Sequence, residues 1–489
     1  MAELKAGVAK VTITPPVGIP ILGHLYPDRI SHGIHDDIWA KVLVLEQNSL
    51  QVAIVAMDLC WPMPENDYVK IRDAIEQATG IEAKNIMVSS THNHQGPVFD
   101  PHPIFNMPLP KQRKIIRPWT DSLPARVAEA AVGAKSQMKS AKVSFGTTPI
   151  TGLAYNRRKH IPEGVASLIN VDSKLNKFYF GDTPDMPDCI RQQYINWGMP
   201  PEEAYQKAPL GLPDGPIDPD LNVIHIADSD GNTIATIVNY ACHAVSCSPP
   251  VPNLISAGFP GFMASLVEED KGGVCLFFYG AGADIRPYRS SAKGFEEAQR
   301  VGFVLATGVV KAIRESEQID NPTLKVQSQI AQVPLKEYPP REESEKLIEK
   351  MTKELEKAKA EGKYREAKKL YDEIEAARYP LLLGEWDGRE KWINQKGNAP
   401  LEVQAIALGD ALILSLPNEV DVSVGMEIKQ NLWTKKVLLA TLTNGCWMYL
   451  IKRHEYEEGG YEAAGARLAP GAGEQMLQTA KQVADDLKK

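Results

Sequence analysis

Two histidines separated by one residue give the strongest chemical signal in the chain. They lie in Thr91-His-Asn-His-Gln-Gly-Pro97, directly after the short apolar run 85–90. That run predicts a buried strand, and His92 and His94 would share one face if the strand continued through residue 94. Loops at the carboxyl ends of strands are where α/β proteins place chemistry. The motif therefore indicates metal binding or catalysis, with a pair of hydrogen-bonded loop histidines as the structural alternative.

Three further predicted strand ends carry a polar residue: His243, Glu419 and Tyr449. Two neutral imidazoles, one carboxylate and an oxygen donor suit Zn²⁺ with a position left open for water. A metal of this kind lowers the pKa of its water and polarises a carbonyl group. Each residue alone has a simpler interpretation: a core histidine, a carboxylate at a helix N-terminus and a packed tyrosine.

The composition is that of a globular protein and excludes several functional classes. The 489 residues are 43 % hydrophobic and 24 % charged, with a net charge of −8. An acidic balance argues against a nucleic-acid partner. The N-terminus has no apolar leader, and no apolar run approaches the ~18 residues of a membrane helix. The six cysteines form no Cys-x-x-Cys pair, so we expect reduced thiols, a cytoplasmic location and no membrane insertion.

Strand-like and helix-like segments alternate along the chain. They predict an α/β fold, a mixed-sheet sandwich with flanking helices, in one domain over residues 1–489. Residues 154–220 have the composition of a long loop region, and no internal repeat is evident. Residues 341–378 are dense in Glu, Lys and Ala and predict an inserted helical hairpin with its turn near Gly362. The hairpin is interpreted as a solvated helix face, or alternatively as a lid or a contact in a homo-oligomer.

Several sequence blocks, in this order and spacing, resemble the catalytic domain of the neutral/alkaline (non-lysosomal) ceramidase family. The resemblance covers most of the chain and rests on Ala6–Pro16, Gly33–Asp36, Thr91–Pro97, Asn156–Arg158, Asn239–His243, Pro260–Gly261, Gly280–Pro287, Leu416–Glu419 and Asn444–Tyr449. It implies a ceramidase-like fold and a zinc amidase domain holding one Zn²⁺. By position, the family's ligands fall on His92, His243, Glu419 and Tyr449, with His94 close to the metal.

The chain departs from the family pattern at three places. Arg286 replaces a serine that has been proposed as catalytic in ceramidases, and Gly258 replaces an acidic residue. A guanidinium is always charged and cannot be a nucleophile. Arg286 therefore favours attack by metal-bound water and a substrate with an anionic group, although an ion pair with Asp284 is the alternative. The family's C-terminal immunoglobulin-like domain is not expected here, which argues against a membrane-borne sphingolipid as substrate.

The leading hypothesis is a zinc-dependent hydrolase of an amide or related acyl bond in a small polar, anionic molecule. The predicted catalytic residues are His94, as a proton shuttle or oxyanion donor, with Tyr449 and Arg286. Asn156, Arg157 and Arg286 are predicted to hold the substrate, with loop bracing as the alternative for the first two. The other hypotheses are a lactone or ester hydrolase, a non-catalytic metal-stabilised binding protein, and a true ceramidase. The last of these predicts an apolar slot with aromatics such as Phe99, Phe105 and Trp119 near its mouth.

Overall fold

The computed structural model describes residues 3–21, 29–61, 67–97, 113–162, 164–167, 194–195, 197–207, 215–245, 252–287, 295–383 and 397–488. The strands in this part of the chain are β1 Lys5–Thr12, β2 Gly33–Ile34, β3 Trp39–Gln47, β4 Leu50–Met57, β5 Ile86–Ser90, β6 Lys139–Ser140, β7 Lys142–Pro149, β8 Ala154–Asn156, β9 Arg158–Ile161, β10 Gly164–Ser167, β11 Asp220–Ala227, β12 Thr233–Tyr240, β13 Leu254–Ile255, β14 Val274–Tyr279, β15 Ile285–Pro287, β16 Glu317–Ile319, β17 Leu324–Pro334, β18 Asn398–Leu408, β19 Ala411–Ser415, β20 Glu419–Val420, β21 Val437–Ala440 and β22 Tyr449–Leu450. The helices are α1 Asp67–Thr79, α2 Arg113–Ser136, α3 Pro201–Lys207, α4 Gly258–Lys271, α5 Phe295–Arg314, α6 Arg341–Ala360, α7 Tyr364–Leu383, α8 Val422–Asn431, α9 Arg453–Glu458, α10 Tyr461–Gly465 and α11 Ala472–Asp486.

In the described part of the chain, three mixed sheets form the framework. Their strand orders are β5-β4-β3-β1-β6, β14-β12-β11-β7-β16 and β17-β18-β19-β21. Short two-stranded pairs join β2 to β13, β8 to β15, β9 to β10 and β20 to β22. The mixed-sheet α/β sandwich with flanking helices that the sequence predicts is confirmed, with three large sheets.

The chain follows the same path through each of the three sheets. A first strand pairs antiparallel with a β-hairpin, and a helix then leads from the hairpin to a parallel strand. A second helix follows the parallel strand and packs back on the sheet. The three units run β1-β3-β4-α1-β5-α2, β7-β11-β12-α4-β14-α5 and β17-β18-β19-α8-β21-α11. No internal repeat is predicted from the sequence, because the repetition lies in the path of the chain and not in a residue pattern.

Alternating side chains place helices outside and a shared core inside. Leu43 and Leu45 on β3 belong to a cluster that also contains Ile224 of the second sheet and Ile406 of the third. Their neighbour Val44 belongs instead to the cluster that contains α2 residues. Side chains with a period of two alternate between the faces of a strand. The three sheets therefore pack face to face, and the ends of strands from all three units come together at one site.

The outer helices approach the sheets closely at two glycines. A Cβ atom at Gly7 of β1 would lie 2.1 Å from the carbonyl oxygen of Ala134 in α2, and one at Gly146 of β7 would lie 2.1 Å from that of Ala312 in α5. Both carbonyls belong to helix backbone, so neither can move aside alone. The glycines thus set the distance between helix and sheet in the first two units.

We predict that Gly7→Ala destabilises the protein by about 1–3 kcal/mol, because the added methyl overpacks this contact. Gly133→Ala on α2 is the matched control. Its Cβ would meet Ala9 at an ordinary 3.4 Å, and alanine favours the helix. Urea unfolding of the two variants measures the difference. Equal midpoints for Gly7→Ala, Gly133→Ala and the wild type would contradict the prediction.

The helical hairpin is present, and its second helix continues past the predicted end at residue 378 to Leu383. Its outer face carries exposed Lys–Glu pairs, as expected of a solvated face. Its inner face is buried, because Met351 and Leu355 pack with Tyr155 and Trp197. The hairpin is therefore docked along one side of the body.

The prediction of a long loop region over residues 154–220 is partly wrong. The described residues of this stretch contain β8, β9, β10 and α3, which are three to seven residues long. Elements this short give no readable hydrophobic period. Among the described residues, the helices include none with the length and apolar character needed to cross a membrane.

Candidate metal centre and active site

Three buried side chains from the three sheet units meet at one point. The Nε2 atoms of His92 and His243 lie 3.5 and 3.6 Å from Oε2 of Glu419. One ligand atom from each residue falls within 4.8 Å of the other two. All three side chains are at least 97 % buried. These three residues are the metal ligands predicted from the sequence, and the fold brings them together.

His92 reaches this point by a backbone turn. Strand β5 ends at Ser90, and His92 adopts a positive φ of 60°. The strand therefore does not continue through residue 94. A left-handed φ is uncommon for a residue with a side chain and often marks a functional site. The two imidazoles still meet, with 3.1 Å between Nε2 of His94 and Nε2 of His92.

Carbonyl groups fix the orientation of both buried imidazoles. Nδ1 of His92 lies 3.0 Å from the carbonyl oxygen of Cys60, and Nδ1 of His243 lies 2.7 Å from that of Gly282. A carbonyl oxygen can only accept, so each Nδ1 carries the proton and each Nε2 presents a lone pair. Histidines that bind metals commonly donate their other ring N–H in this way. Burial also lowers the pKa of both histidines and keeps them neutral.

One carboxylate oxygen of Glu419 accepts a hydrogen bond, and the other has no donor. Its Oε1 accepts a hydrogen bond of 2.8 Å from Nε1 of Trp61. Its Oε2 is buried and has no hydrogen-bond partner. A buried carboxylate oxygen without a donor is costly. Here it faces two imidazole lone pairs, so three acceptors converge with no proton between them, which is the donor set that a divalent cation such as Zn²⁺ requires.

Tyr449 stands beside Glu419, because β20 and β22 pair in parallel with these two residues in register. Nη2 of Arg157 lies 3.5 Å from the phenol oxygen of Tyr449. The predicted fourth ligand is thus next to the three-residue cluster and in contact with a guanidinium. Arg157 is itself 2 % exposed.

A buried ion-pair cluster holds Arg157. Its Nε lies 2.6 Å from Oε1 of Glu462, and Nη1 of Arg158 lies 3.1 Å from Oε2 of the same carboxylate. Burial acts to raise the pKa of Glu462, but Arg157 and Arg158 outweigh it and hold that pKa below its ordinary value. Glu462 therefore stays ionised between the two cations. The cluster continues to Glu458, 3.0 Å from Nη2 of Arg158.

The contacts of Asn156 fit the bracing alternative better than a role in holding substrate. Its side-chain amide donates to Asp284 and to the carbonyl oxygen of Pro216, and its oxygen accepts from the backbone N–H of Arg158. Every polar atom of this side chain is thus used within the protein.

The hydrogen-bond donors to Asp284 are groups other than Arg286. Its carboxylate accepts from Asn156 and from the backbone N–H of Val422. Arg286 is 5 % exposed and pairs across β8 and β15 with Tyr155. The low pKa of His243 results first from burial, then from His92, and then from Arg157 and Arg286. Two guanidinium groups therefore act on the electrostatics of the site.

Trp119 is expected near an apolar mouth only under the ceramidase hypothesis. Its ring is buried in the core, and its Nε1 donates to the carbonyl oxygen of Ile13 at 2.8 Å. Phe99 and Phe105 lie outside the described residues. Gly258, the other departure from the family pattern, is the first residue of α4.

Three residues of the site were not predicted from the sequence. Trp61 binds Glu419, and Glu462 binds Arg157. Tyr279 stacks on His92 with ring centroids 4.6 Å apart and contacts Nδ1 of His243 at 3.1 Å. Trp61 follows an apolar strand and Tyr279 ends one. A search for chemically functional side chains at the end of every predicted strand would therefore have found them. Glu462 lies in a five-residue helix and gives no such signal.

Comparison with solved structures identifies the fold. No family model and no curated protein matches the chain. Among solved structures, the neutral ceramidase from Pseudomonas aeruginosa is similar, with a TM-score of 0.69 and 15 % identity over 100 % of this chain and 75 % of that chain. A ceramidase complexed with C2 gives a TM-score of 0.66 and 14 % identity over 100 % and 76 %. The fold that the sequence blocks predicted is therefore confirmed: this chain has the fold of the neutral ceramidases.

Proposed function

We propose that this protein is a zinc-dependent hydrolase of an amide or related acyl bond in a small, anionic molecule. One observation carries the proposal: three buried acceptor atoms, on His92, His243 and Glu419, converge without a proton between them. Two imidazoles and a carboxylate are a known donor set for catalytic zinc. The fold, shared with proteins named as ceramidases, supports amide hydrolysis as the reaction class.

The residues around the proposed zinc supply the remaining functions. A bound zinc ion would polarise the scissile carbonyl and lower the pKa of a water molecule. His94 is partly exposed and contacts His92, so it is placed to pass a proton to the leaving group. Tyr449 would complete the ligand set or donate to the developing oxyanion. Arg157 and Arg286 would bind the anionic part of the substrate.

The arginines separate this proposal from ceramide hydrolysis. Two buried guanidinium groups near the metal ligands favour a substrate with a carboxylate or phosphate close to the scissile bond. Ceramide and its acyl chain carry no such charge. A lactone or ester would be attacked by the same groups. The assigned roles, the zinc, the cytoplasmic location and assembly into a homo-oligomer all remain predictions.

The test combines metal analysis with a substrate panel. We expect purified protein to hold about one zinc per chain and to hydrolyse at least one N-acyl amino acid or anionic lactone. Chelation should abolish the activity and added zinc should restore it. In His92→Ala, metal and activity should both be lost. His225→Ala is the matched control, because His225 lies in β11 and binds Thr233, away from the site.

The outcomes separate the alternatives. Release of fatty acid from a ceramide analogue, with no turnover of anionic substrates, would favour a true ceramidase. Bound zinc that raises the melting temperature without any turnover would favour a binding protein. Stoichiometric zinc retained in His92→Ala would overturn the assignment of the site.

A further inference from the structure

A large cleft lies beside the buried ion-pair cluster, since Glu458 belongs to both. Helix α7 of the hairpin forms one wall, and the α9–α10 segment with Gly459, Gly460 and Ala463 forms the other. The cavity volume is about 1170 Å³, which is large enough for a small organic molecule. The proposed catalytic residues do not line it.

Lys336 lies in this cleft, and no carboxylate of the described residues pairs with its charge. Its Nζ donates to the carbonyl oxygen of Ala463 at 2.7 Å and lies 5.1 Å from the centre of the Tyr456 ring. Among the described residues, no Asp or Glu oxygen lies within 4 Å of this Nζ. Burial, with no opposing charge, lowers the pKa of Lys336 to about 8. The ammonium has three N–H donors, so two remain for a ligand.

The charged neighbours of Lys336 are mostly paired or exposed. Lys368 pairs with Asp372, and Lys369 lies 3.8 Å from Glu373. Glu458 is taken by Arg158. The remaining acidic lining residues, Glu366 and Glu457, are exposed to solvent, which screens their charge. The net effect is a partly buried cation beside an aromatic ring.

We propose that this cleft is a second binding site, for a small molecule that carries a carboxylate or phosphate group. Lys336 pairs with the anionic group, and Tyr456 and Ala463 pack against the apolar part of the ligand. A paired anion would offset the burial of the ammonium, which is how proteins accommodate buried charge. The proposal is independent of the hydrolase function.

The site is adjacent to the ion-pair cluster of the metal centre. Ala463, which accepts from Lys336, follows Glu462 in helix α10, and Glu462 holds Arg157. A ligand that draws Lys336 away from the Ala463 carbonyl therefore acts on the helix that positions Arg157. Occupancy of the cleft would in this way influence the proposed substrate-binding arginine.

Titration with citrate and with inorganic phosphate, at constant ionic strength, tests the site and separates the two ligand chemistries. We expect at least one anion to bind the wild type in isothermal titration calorimetry, and to bind Lys336→Met at least about tenfold more weakly, a change of ~1.4 kcal/mol. Lys363→Met is the matched control, because Lys363 is exposed at the rim and pairs with Glu361. Binding should be unchanged in that variant, and it should persist in Glu419→Gln, which disables the metal centre. Absence of binding by both anions, or equal binding to Lys336→Met, would overturn the proposal.

A measurement on the wild type covers the case in which Lys336→Met fails to fold. Pyridoxal phosphate carries both an aldehyde and a phosphate, and borohydride fixes it to the lysine it reaches. Peptide mapping should find the label mainly on Lys336, and citrate should reduce it. Labelling spread evenly over exposed lysines, or labelling of Lys336 that citrate leaves unchanged, would reject the site.

Discussion

Replacing Glu419 by glutamine should abolish metal binding and, at the same time, stabilise the metal-free protein. In the metal-free site, Oε2 of Glu419 is buried without a donor and faces the Nε2 lone pairs of His92 and His243 at 3.5 and 3.6 Å. An amide nitrogen in that position can donate to either imidazole. The amide oxygen can still accept from Trp61, as Oε1 does now. The substitution therefore repairs the hydrogen bonding and removes the charge that a cation needs.

The two effects have different sizes and different measurements. Relief of an unsatisfied buried acceptor is worth about 1–3 kcal/mol, and urea unfolding of chelator-treated protein measures it. Zinc affinity should fall by more than about a hundredfold, since even residues that only orient a ligand contribute 10–100-fold. Competition with a chromogenic chelator measures this affinity. A metal-free Glu419→Gln protein less stable than the wild type, with zinc affinity intact, would show that this carboxylate is structural.

Glu402→Gln is the matched control, because the same substitution at another buried glutamate should act in the opposite direction. Glu402 forms two hydrogen bonds with Arg72, at 2.8 and 3.2 Å. Removal of one partner from a buried ion pair costs about 3–5 kcal/mol. The variant should be destabilised and should keep its metal. If glutamine stabilises the metal-free protein at position 419 but not at position 402, Glu419 is a metal-binding carboxylate and Glu402 is a structural one.

The fold could be predicted from the sequence where side-chain periods are long and regular. The predicted hairpin over residues 341–378 is present as α6 and α7, and the predicted strand over residues 85–90 is present as β5. β8, β9 and β10 were missed because each spans only three or four residues. The threefold repetition of the chain path was missed as well, because hydrophobic patterns specify which face is buried and leave the order of strand pairing open.

The candidate site could be predicted where a polar residue ends an apolar strand, and not elsewhere. His92, His243 and Glu419 satisfy that rule, and the structure places them together. Their geometry depends on features that the sequence does not display, such as the positive φ of His92. The ion pairs around Glu462 could not be predicted, because their members come from β8–β9 and from the short helices α9 and α10. An ion pair between residues about 300 positions apart has no local signature.

The second large effect is expected at Glu462, where substitution should destabilise the folded protein. Its carboxylate is fully buried and binds Arg157 through one oxygen and Arg158 through the other. Glu462→Gln leaves two buried guanidinium groups without their shared counter-charge. Breaking a buried pair from one side costs about 3–5 kcal/mol. Glu458→Gln is the control within the same cluster: Glu458 also binds Arg158, but its side chain is 32 % exposed, so we expect a cost of only about 0–1 kcal/mol.

The pH dependence of unfolding distinguishes loss of the Glu462 charge from a simple packing defect. Burial acts to raise the pKa of Glu462, yet the two arginines hold it below its ordinary value of 4.5. A carboxyl group with a lowered folded-state pKa stabilises the protein above its unfolded-state pKa, and loses that effect as pH falls through the folded-state pKa. The difference in unfolding free energy between wild type and Glu462→Gln should therefore be largest near pH 7 and shrink below about pH 4.5. A difference that stays constant from pH 7 to pH 3 would mean that the glutamine disturbs packing alone, and that Arg157 is held in place by something other than the charge of Glu462.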